Sequence, residues 1–188
     1  MSLFVIAVEG DVTEKSYFEH FQKHSNFTFA GIEIIRPNSK SAPNHVLAKL
    51  KQYKKTNAGN YRFWLVIDED ERNKEELKSI YQQCKDKNIG FAISSPAFEF
   101  WLLLHFCKGN NIKSVSDCTA ELKNKKYLLS FDKHISKKHW ETLYSRINTA
   151  ISNAKELESA SDFWRQNKCG STVYKLVLEL LEYTLKPK

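Results

Sequence analysis

Apolar residues follow two rhythms along this chain. Leu3 to Val8 is an unbroken run of β-type residues, and Arg62 to Ile67 is apolar without alternation after its first position. Such runs read as strands covered on both faces, the kind found in parallel sheets. Ile32–Ile35 and Ile89–Ile93 read as two shorter strands. Between them the spacing turns helical. Asp11 with Glu14 three residues on has a capping-box pattern, opening a helix to about His24 with Tyr17, Phe18 and Phe21 inward. Pro43 to about Thr56 forms a second helix with proline in its first turn, and Asn73 to Lys87 a third, with Leu77, Ile80, Tyr81 and Cys84 facing the core. Strands alternating with helices imply βαβ units, right-handed crossovers and a parallel α/β sheet of about four strands.

After Pro96 the rhythm changes. Ala97 to Phe106 reads as a buried helix, 108–135 as irregular and Lys-rich, Ser136 to about Ser159 as one long helix, and Val173 to Leu185 as a final amphipathic helix. The expectation is an α/β core over 1–107 with a helical C-terminal region, 108–188, packed on it as one compact unit. The N-terminal apolar run lacks a basic flank and stops at Glu9, which does not suit a signal peptide. Phe98 to Cys107, the longest apolar stretch, carries Glu99 and His105 and falls short of the roughly 18 residues of a membrane span. The four cysteines form no CxxC pair, so a disulfide framework is not expected and a reducing cytoplasm is.

Charge refines this picture. The net charge is +7, and it is uneven: residues 1–107 hold 14 Lys/Arg against 13 Asp/Glu, residues 108–188 hold 15 against 9. The front half carries the acids, including Asp68-Glu69-Asp70-Glu71, and the back half the excess positive charge. A basic balance favours polyanionic partners such as DNA or RNA, although a solvated Lys-rich helical surface has the same composition.

In open α/β sheets functional groups collect outside the carboxyl ends of the strands. Two predicted strand ends deliver acids there: Glu9 after the first, Asp68-Glu69-Asp70 after the third. On extended chain, residues i and i+2 point the same way, so Asp68 and Asp70 face one site while Glu69 turns aside. If the first and third strands are neighbours, their ends lie about 5 Å apart and Glu9 reaches the same place. A cluster of carboxylates suits magnesium, a hard ion that takes oxygen ligands. Ions held there would neutralise a phosphate, activate water and stabilise a leaving oxygen. Acids at strand ends are also common simply as polar loop residues.

Other positions carry weaker signals. Glu14 either joins the metal site or completes a helix cap. Glu99 lies in an otherwise apolar helix, and a buried unpaired carboxylate is costly, so it must meet a cation, a metal or water. His105 reads as a packing histidine, and His20/His24, spaced i, i+4, as a solvated helix face. Lys15, Lys125, Lys126, Lys137 and Lys138 are candidate phosphate contacts. Tyr127, Phe131 and Trp140, interleaved with lysines, read either as base-stacking rings or as core.

The segment Val8-Glu9-Gly10-Asp11-Val12-Thr13-Glu14-Lys15-Ser16-Tyr17-Phe18 resembles the opening motif of the RloB-like family, a branch of the TOPRIM (topoisomerase–primase) superfamily related to the OLD-family nucleases. Val66 to Glu71 resembles its aspartate motif, the thirteen residues Ser94 to Phe106 its long central signature, and Ser171 to Val177 its C-terminal motif. Ser95 stands where the central signature has Asn, and Lys168-Cys169-Gly170 where the C-terminal motif has Asn-Pro. The resemblance implies a TOPRIM-like Rossmannoid sheet. In it Glu9, Asp68 and Asp70 are catalytic, and Glu9, Asp68, Asp70 and Glu14 hold magnesium, with manganese as a substitute; Glu99 joins the catalytic set on its own burial and its place beside the metal edge. It implies a metal-dependent nuclease in anti-phage defence, associated with restriction systems and with a partner ATPase or restriction protein. The rival expectation is a non-catalytic module that senses nucleic acid or nucleotides for such a complex. DNA against RNA, the trigger and the oligomeric state stay open.

Overall fold

The computed structural model describes residues 2–24, 30–35, 42–69, 72–124, 126–160 and 168–184. In chain order the elements are β1 (Ser2–Val8), α1 (Thr13–His24), β2 (Ala30–Ile35), α2 (Pro43–Thr56), β3 (Tyr61–Asp68), α3 (Lys74–Asp86), β4 (Gly90–Ser95), α4 (Phe98–Leu103), α5 (Val115–Leu122), α6 (Lys137–Ser145), α7 (Ile147–Ala160), β5 (Gly170–Ser171) and α8 (Val173–Thr184). The strands form one sheet in the order β2-β1-β3-β4-β5, parallel except for β5, which runs against β4.

The unbroken apolar runs have a simple cause: both faces of the sheet are covered. Phe4, Ile6 and Val8 of β1 and Trp64 and Val66 of β3 pack with α1, α4 and the C-terminal helices. The alternate residues Val5, Ala7, Phe63, Leu65 and Ile67 pack with α2 and α3. Phe4 through Val8 are fully buried. At about 25 cal/mol per Å² of apolar surface removed from water, this two-sided burial is the main stabiliser of the sheet. The helix starts are local: Pro43 stands in the first turn of α2, and the Asn73 side chain accepts a 2.8 Å hydrogen bond from the Glu75 N–H at the start of α3.

Three expectations need correction. The stretch 108–135 is not wholly irregular, because α5 lies within it. Ser114 caps α5 by accepting from the Asp117 N–H at 3.1 Å, and Cys118 and Leu122 are buried. With two buried positions in so short a helix, periodicity was too faint to reveal it. The long helix expected over Ser136–Ser159 is two helices. At Arg146 the backbone leaves helical geometry (φ −114, ψ 12), and the Arg146 N–H bonds the Leu143 carbonyl at 3.0 Å. Trp140 and Leu143 precede the break and Ile147, Ala150 and Ala154 follow it, all buried. Their spacing runs through the break almost unchanged, which hides it. Finally the sheet has five strands rather than about four. The fifth spans two residues, and the Ser94 and Ser171 hydroxyls beside it are 2.8 Å apart. Among the described residues no helix is long and apolar enough to cross a membrane, and all four cysteines are free.

Candidate functional site at the carboxyl rim of the sheet

β1 and β3 pair in register from Leu3–Tyr61 to Val8–Val66, so the two strands end side by side. Glu9 leaves β1 with its N–H bonded to the Val66 carbonyl at 3.2 Å, and its Oε2 accepts from the Asp68 N–H at 3.4 Å. The turn after Glu9 leads into α1, whose first turn brings Thr13 and Glu14 to the same rim. β4 ends one strand further on, and the first turn of α4 brings Glu99 there. A cleft of about 410 Å³ opens between these pieces, lined by Gly10, Asp11, Val12, Thr13, Glu14, Asp68, Ala97, Glu99, Val115 and Lys133.

Two of the acids in this cleft are unusually dry. Glu14 is 4% exposed and Glu99 5%. Glu14 reaches back to accept the Gly10 N–H at 3.0 Å, so its bond runs past Asp11 to the strand end. The absence of a side chain on Gly10 makes the room, because a Cβ there would collide with the Glu14 carboxylate. Glu99 accepts a 3.1 Å hydrogen bond from the Thr13 hydroxyl. Asp68 accepts from the Phe98 N–H, yet its Oδ1 is buried with no hydrogen-bond partner. Burial pushes the Glu14 carboxyl up to about 7, with the charges of Glu99 and Glu9 adding to the effect. Burial, and then repulsion from Glu14, Glu99 and Glu9, holds Asp68 well above the usual carboxylate range. Removing several carboxylates from water beside one another favours protonation unless positive charge arrives.

The neighbours of the cleft are accounted for differently. Glu69 turns away: its N–H bonds the Ser94 carbonyl at 2.8 Å, and its carboxylate takes the Ser95 hydroxyl. Arg72 forms an ion pair with Glu9, while its Nε donates to the Asp68 carbonyl at 3.3 Å. Glu9 is therefore held from outside the cleft. Asp70 and Lys125 lie outside the described residues. Lys15 pairs with Glu19 at 3.5 Å along α1. Lys126, Lys137 and Lys138 are exposed and none of them lines the cleft. Of the aromatic residues interleaved with them, Phe131 and Trp140 are core, 1% and 2% exposed, and Tyr127 stacks on Phe106 with ring centres 4.7 Å apart. His105 is wholly buried, its Nδ1–H donating to the Trp101 and Leu102 carbonyls at 3.1 Å, and burial lowers its pKa to about 4.

Among the described residues no group of three or more His, Cys, Asp or Glu forms an assembled metal site. The donor chemistry nonetheless fits a hard cation. It is all oxygen, and one buried Asp68 oxygen lacks a partner. Three residues of the site went unnoticed in the sequence: Thr13, Arg72 and Lys133. Thr13 was inside a recognised motif and only its reach to Glu99, 86 residues on, was hidden. Arg72 follows the acidic run directly, a charge pattern that offered a signal. Lys133 sits in a loop with no periodicity, and nothing in the sequence marked it. Its backbone is left-handed, φ +76, a conformation that costs an ordinary L-residue about 1 kcal/mol.

No curated protein and no solved structure matches the chain. Residues 4–180 match the family described as RloB-like protein, a span that takes in every element from β1 into α8 and all the acids of the cleft. The chain belongs to the RloB-like family.

Proposed function

We propose that the chain is a divalent-metal-dependent nuclease that hydrolyses nucleic-acid phosphodiester bonds on a TOPRIM-like sheet, in a cytoplasmic anti-phage defence system. The observation that carries this reading is the buried, unpartnered Asp68 oxygen in a cleft with Glu14 and Glu99. Such an arrangement calls for positive charge, and membership of the RloB-like family adds its own support. Asp68 and Glu14, which line the same cleft, would hold magnesium or manganese, with Asp70, outside the described residues, as the further ligand that the family resemblance implies. The ion would supply charge neutralisation for the phosphate and a more acidic water. Without an ion, burial holds the Glu14 carboxyl up at about 7, so a cation arriving there near neutral pH would displace its proton. Thr13 orients Glu99, and Arg72 fixes Glu9 at the edge of the site.

A second reading has its own support. With Arg72 on Glu9 and no assembled metal cluster among the described residues, the cleft also suits a non-catalytic module that senses nucleic acid or nucleotides for an ATPase or restriction partner. Asp68→Ala separates the two. Purified protein is incubated with DNA, tRNA and other RNA in magnesium, manganese or chelator. The nuclease reading expects metal-dependent cleavage that falls on the order of 10³-fold in the variant, with binding retained. Wild-type protein that cleaves none of these, yet assembles with a partner, sinks it in favour of the sensor.

A further inference from the structure

We infer that Lys133 is the phosphate-binding residue of the acidic cleft, a conclusion that rests on the nuclease reading and names how the site grips its substrate. Lys133 is the one basic residue among those lining the cleft, which it shares with Asp11, Glu14, Asp68 and Glu99. Among the described residues it forms no ion pair, and it is exposed. A cation beside so many carboxylates that neutralises none of them is available to a ligand.

Its placement is fixed rather than incidental. The loop carrying it is fastened to α1, the helix that bears Glu14. The Ser16 hydroxyl accepts from the Ile135 N–H at 3.0 Å and donates to the Ile135 carbonyl at 3.2 Å, while His20 Nε2 donates to the same carbonyl at 2.7 Å. On the other side Phe131 is buried, its N–H bonded to the Leu128 carbonyl at 3.0 Å, and the Asp132 carboxylate accepts from the His134 N–H at 3.2 Å. Between these anchors the backbone turns left-handed at Lys133 itself. Glycine adopts that conformation freely, whereas a lysine holds it at a cost of about 1 kcal/mol. Strain of this kind, held by its surroundings, gathers at functional sites. The ligand chemistry follows from the pairing. A point-charge ammonium opposite metal-binding acids suits a group that offers one oxygen to a lysine and others to a cation, which is a phosphodiester. Val12, 46% exposed on the same rim, adds an apolar contact for the adjoining sugar.

The test uses the full chain and three fluorescent probes: a single-stranded DNA oligonucleotide, the same sequence as RNA, and a DNA duplex. Affinity is measured by anisotropy in calcium and in chelator, over a salt series of roughly 50 to 200 mM. Loss of one phosphate contact lowers the slope of log affinity against log salt by about 0.7 for single strands and about 0.9 for duplex. Lys133→Met and Lys133→Gly are expected to show that loss and Lys133→Arg to recover most of it. In cleavage, Lys133→Met is expected to fall on the order of 10²-fold. Lys133→Gly removes the strain together with the charge, so its melting temperature should match or exceed the wild type; a lost slope in that variant therefore reports the charge and not the fold. Folded Lys133 variants with the wild-type slope, or a wild-type protein that binds none of the probes, overturn the inference. The nuclease reading fails separately: a wild type that cleaves nothing in magnesium or manganese, but whose salt slope still depends on Lys133, keeps the phosphate contact and loses the chemistry.

Discussion

The two rims of the central sheet carry charge in contrasting states. Where β1 and β3 end, Glu14 and Glu99 are buried and an oxygen of Asp68 has no partner. Where β3 and β4 begin, a second cleft of about 470 Å³ is lined by Lys54, Arg62, Trp64, Lys85, Glu179 and their neighbours, and its polar groups are largely matched. Lys54 donates to the Lys87 and Asn88 carbonyls at 2.7 and 3.1 Å, and Arg62 to the Tyr183 hydroxyl at 3.0 Å. The Trp64 indole N–H donates to Glu179 at 3.0 Å. The larger opening is thus the quieter one. Volume does not distinguish the rims; the state of their buried polar groups does. A satisfied network fixes the join between α8 and the sheet, whereas an unsatisfied acidic one is stable only when protons or cations come to it.

The sharpest way to press that contrast is Glu14→Gln. Glu14 is raised from 4.5 to about 7 in the fold. Between those values the folded protein binds more protons than the unfolded chain, so its stability is greatest at low pH and falls as pH rises through about 7. Asp68 is shifted the same way. In chelator the wild type should therefore melt lower at pH 8 than at pH 5. Glu14→Gln should flatten much of that slope and raise the melting temperature at pH 8 by about 5–10 °C. Magnesium should restore the wild type at pH 8 and help the variant less, while cleavage by the variant drops on the order of 10³-fold. Melting curves against pH check this, and a wild-type slope of the opposite sign would show that the fold does not hold these acids above their ordinary values.

A smaller effect is expected two residues past the strand end. In Gly10→Ala the new methyl displaces the Glu14 carboxylate, the flexible end of a side chain, so stability should change by less than about 1 kcal/mol. The carboxylate then loses its bond from the Gly10 N–H and its fixed position. Misplacement of a reacting group costs on the order of 10²-fold. Cleavage assays beside a melting curve separate the two. A variant as active as the wild type would mean that the exact seat of Glu14 does not matter.

The contrast between the rims also explains what could be read from the chain. β1 and β3 were legible because burial on both faces writes an unbroken apolar run. The acids that end them, Glu9 and Asp68, were legible because the polarity changes abruptly there. The adjacency of those strands was a condition, not a reading, and pairing supplied it. The partners across the cleft were hidden for one reason: each is distant in sequence. Thr13 meets Glu99, Arg72 meets Glu9, and Ser16 ties down the loop that carries Lys133. No local pattern encodes such contacts. The same holds at the quiet rim, where Trp64 and Glu179 are 115 residues apart. Helix breaks fall in the same class, since at Arg146 the backbone turns without disturbing the apolar spacing.

The smallest effect should come from that quiet rim, and it is the one able to undo the contrast. Trp64→Phe removes the indole N–H that binds Glu179 but keeps an aromatic ring beside Gly90, where no side chain stands in the way. Glu179 is partly exposed and also lies 3.8 Å from Arg62, so water and the guanidinium take up its freed oxygen. The loss should be about 1 kcal/mol, or roughly 2–4 °C in melting temperature, with unchanged cleavage and an unchanged salt slope. Stability drops because α8 is less firmly joined to β3, and nothing reaches the carboxyl rim, at the far end of the strand. If Trp64→Phe instead kept its stability and lost cleavage or nucleic-acid binding, the matched rim would be part of the working surface. The state of buried polar groups would then no longer tell the two clefts apart.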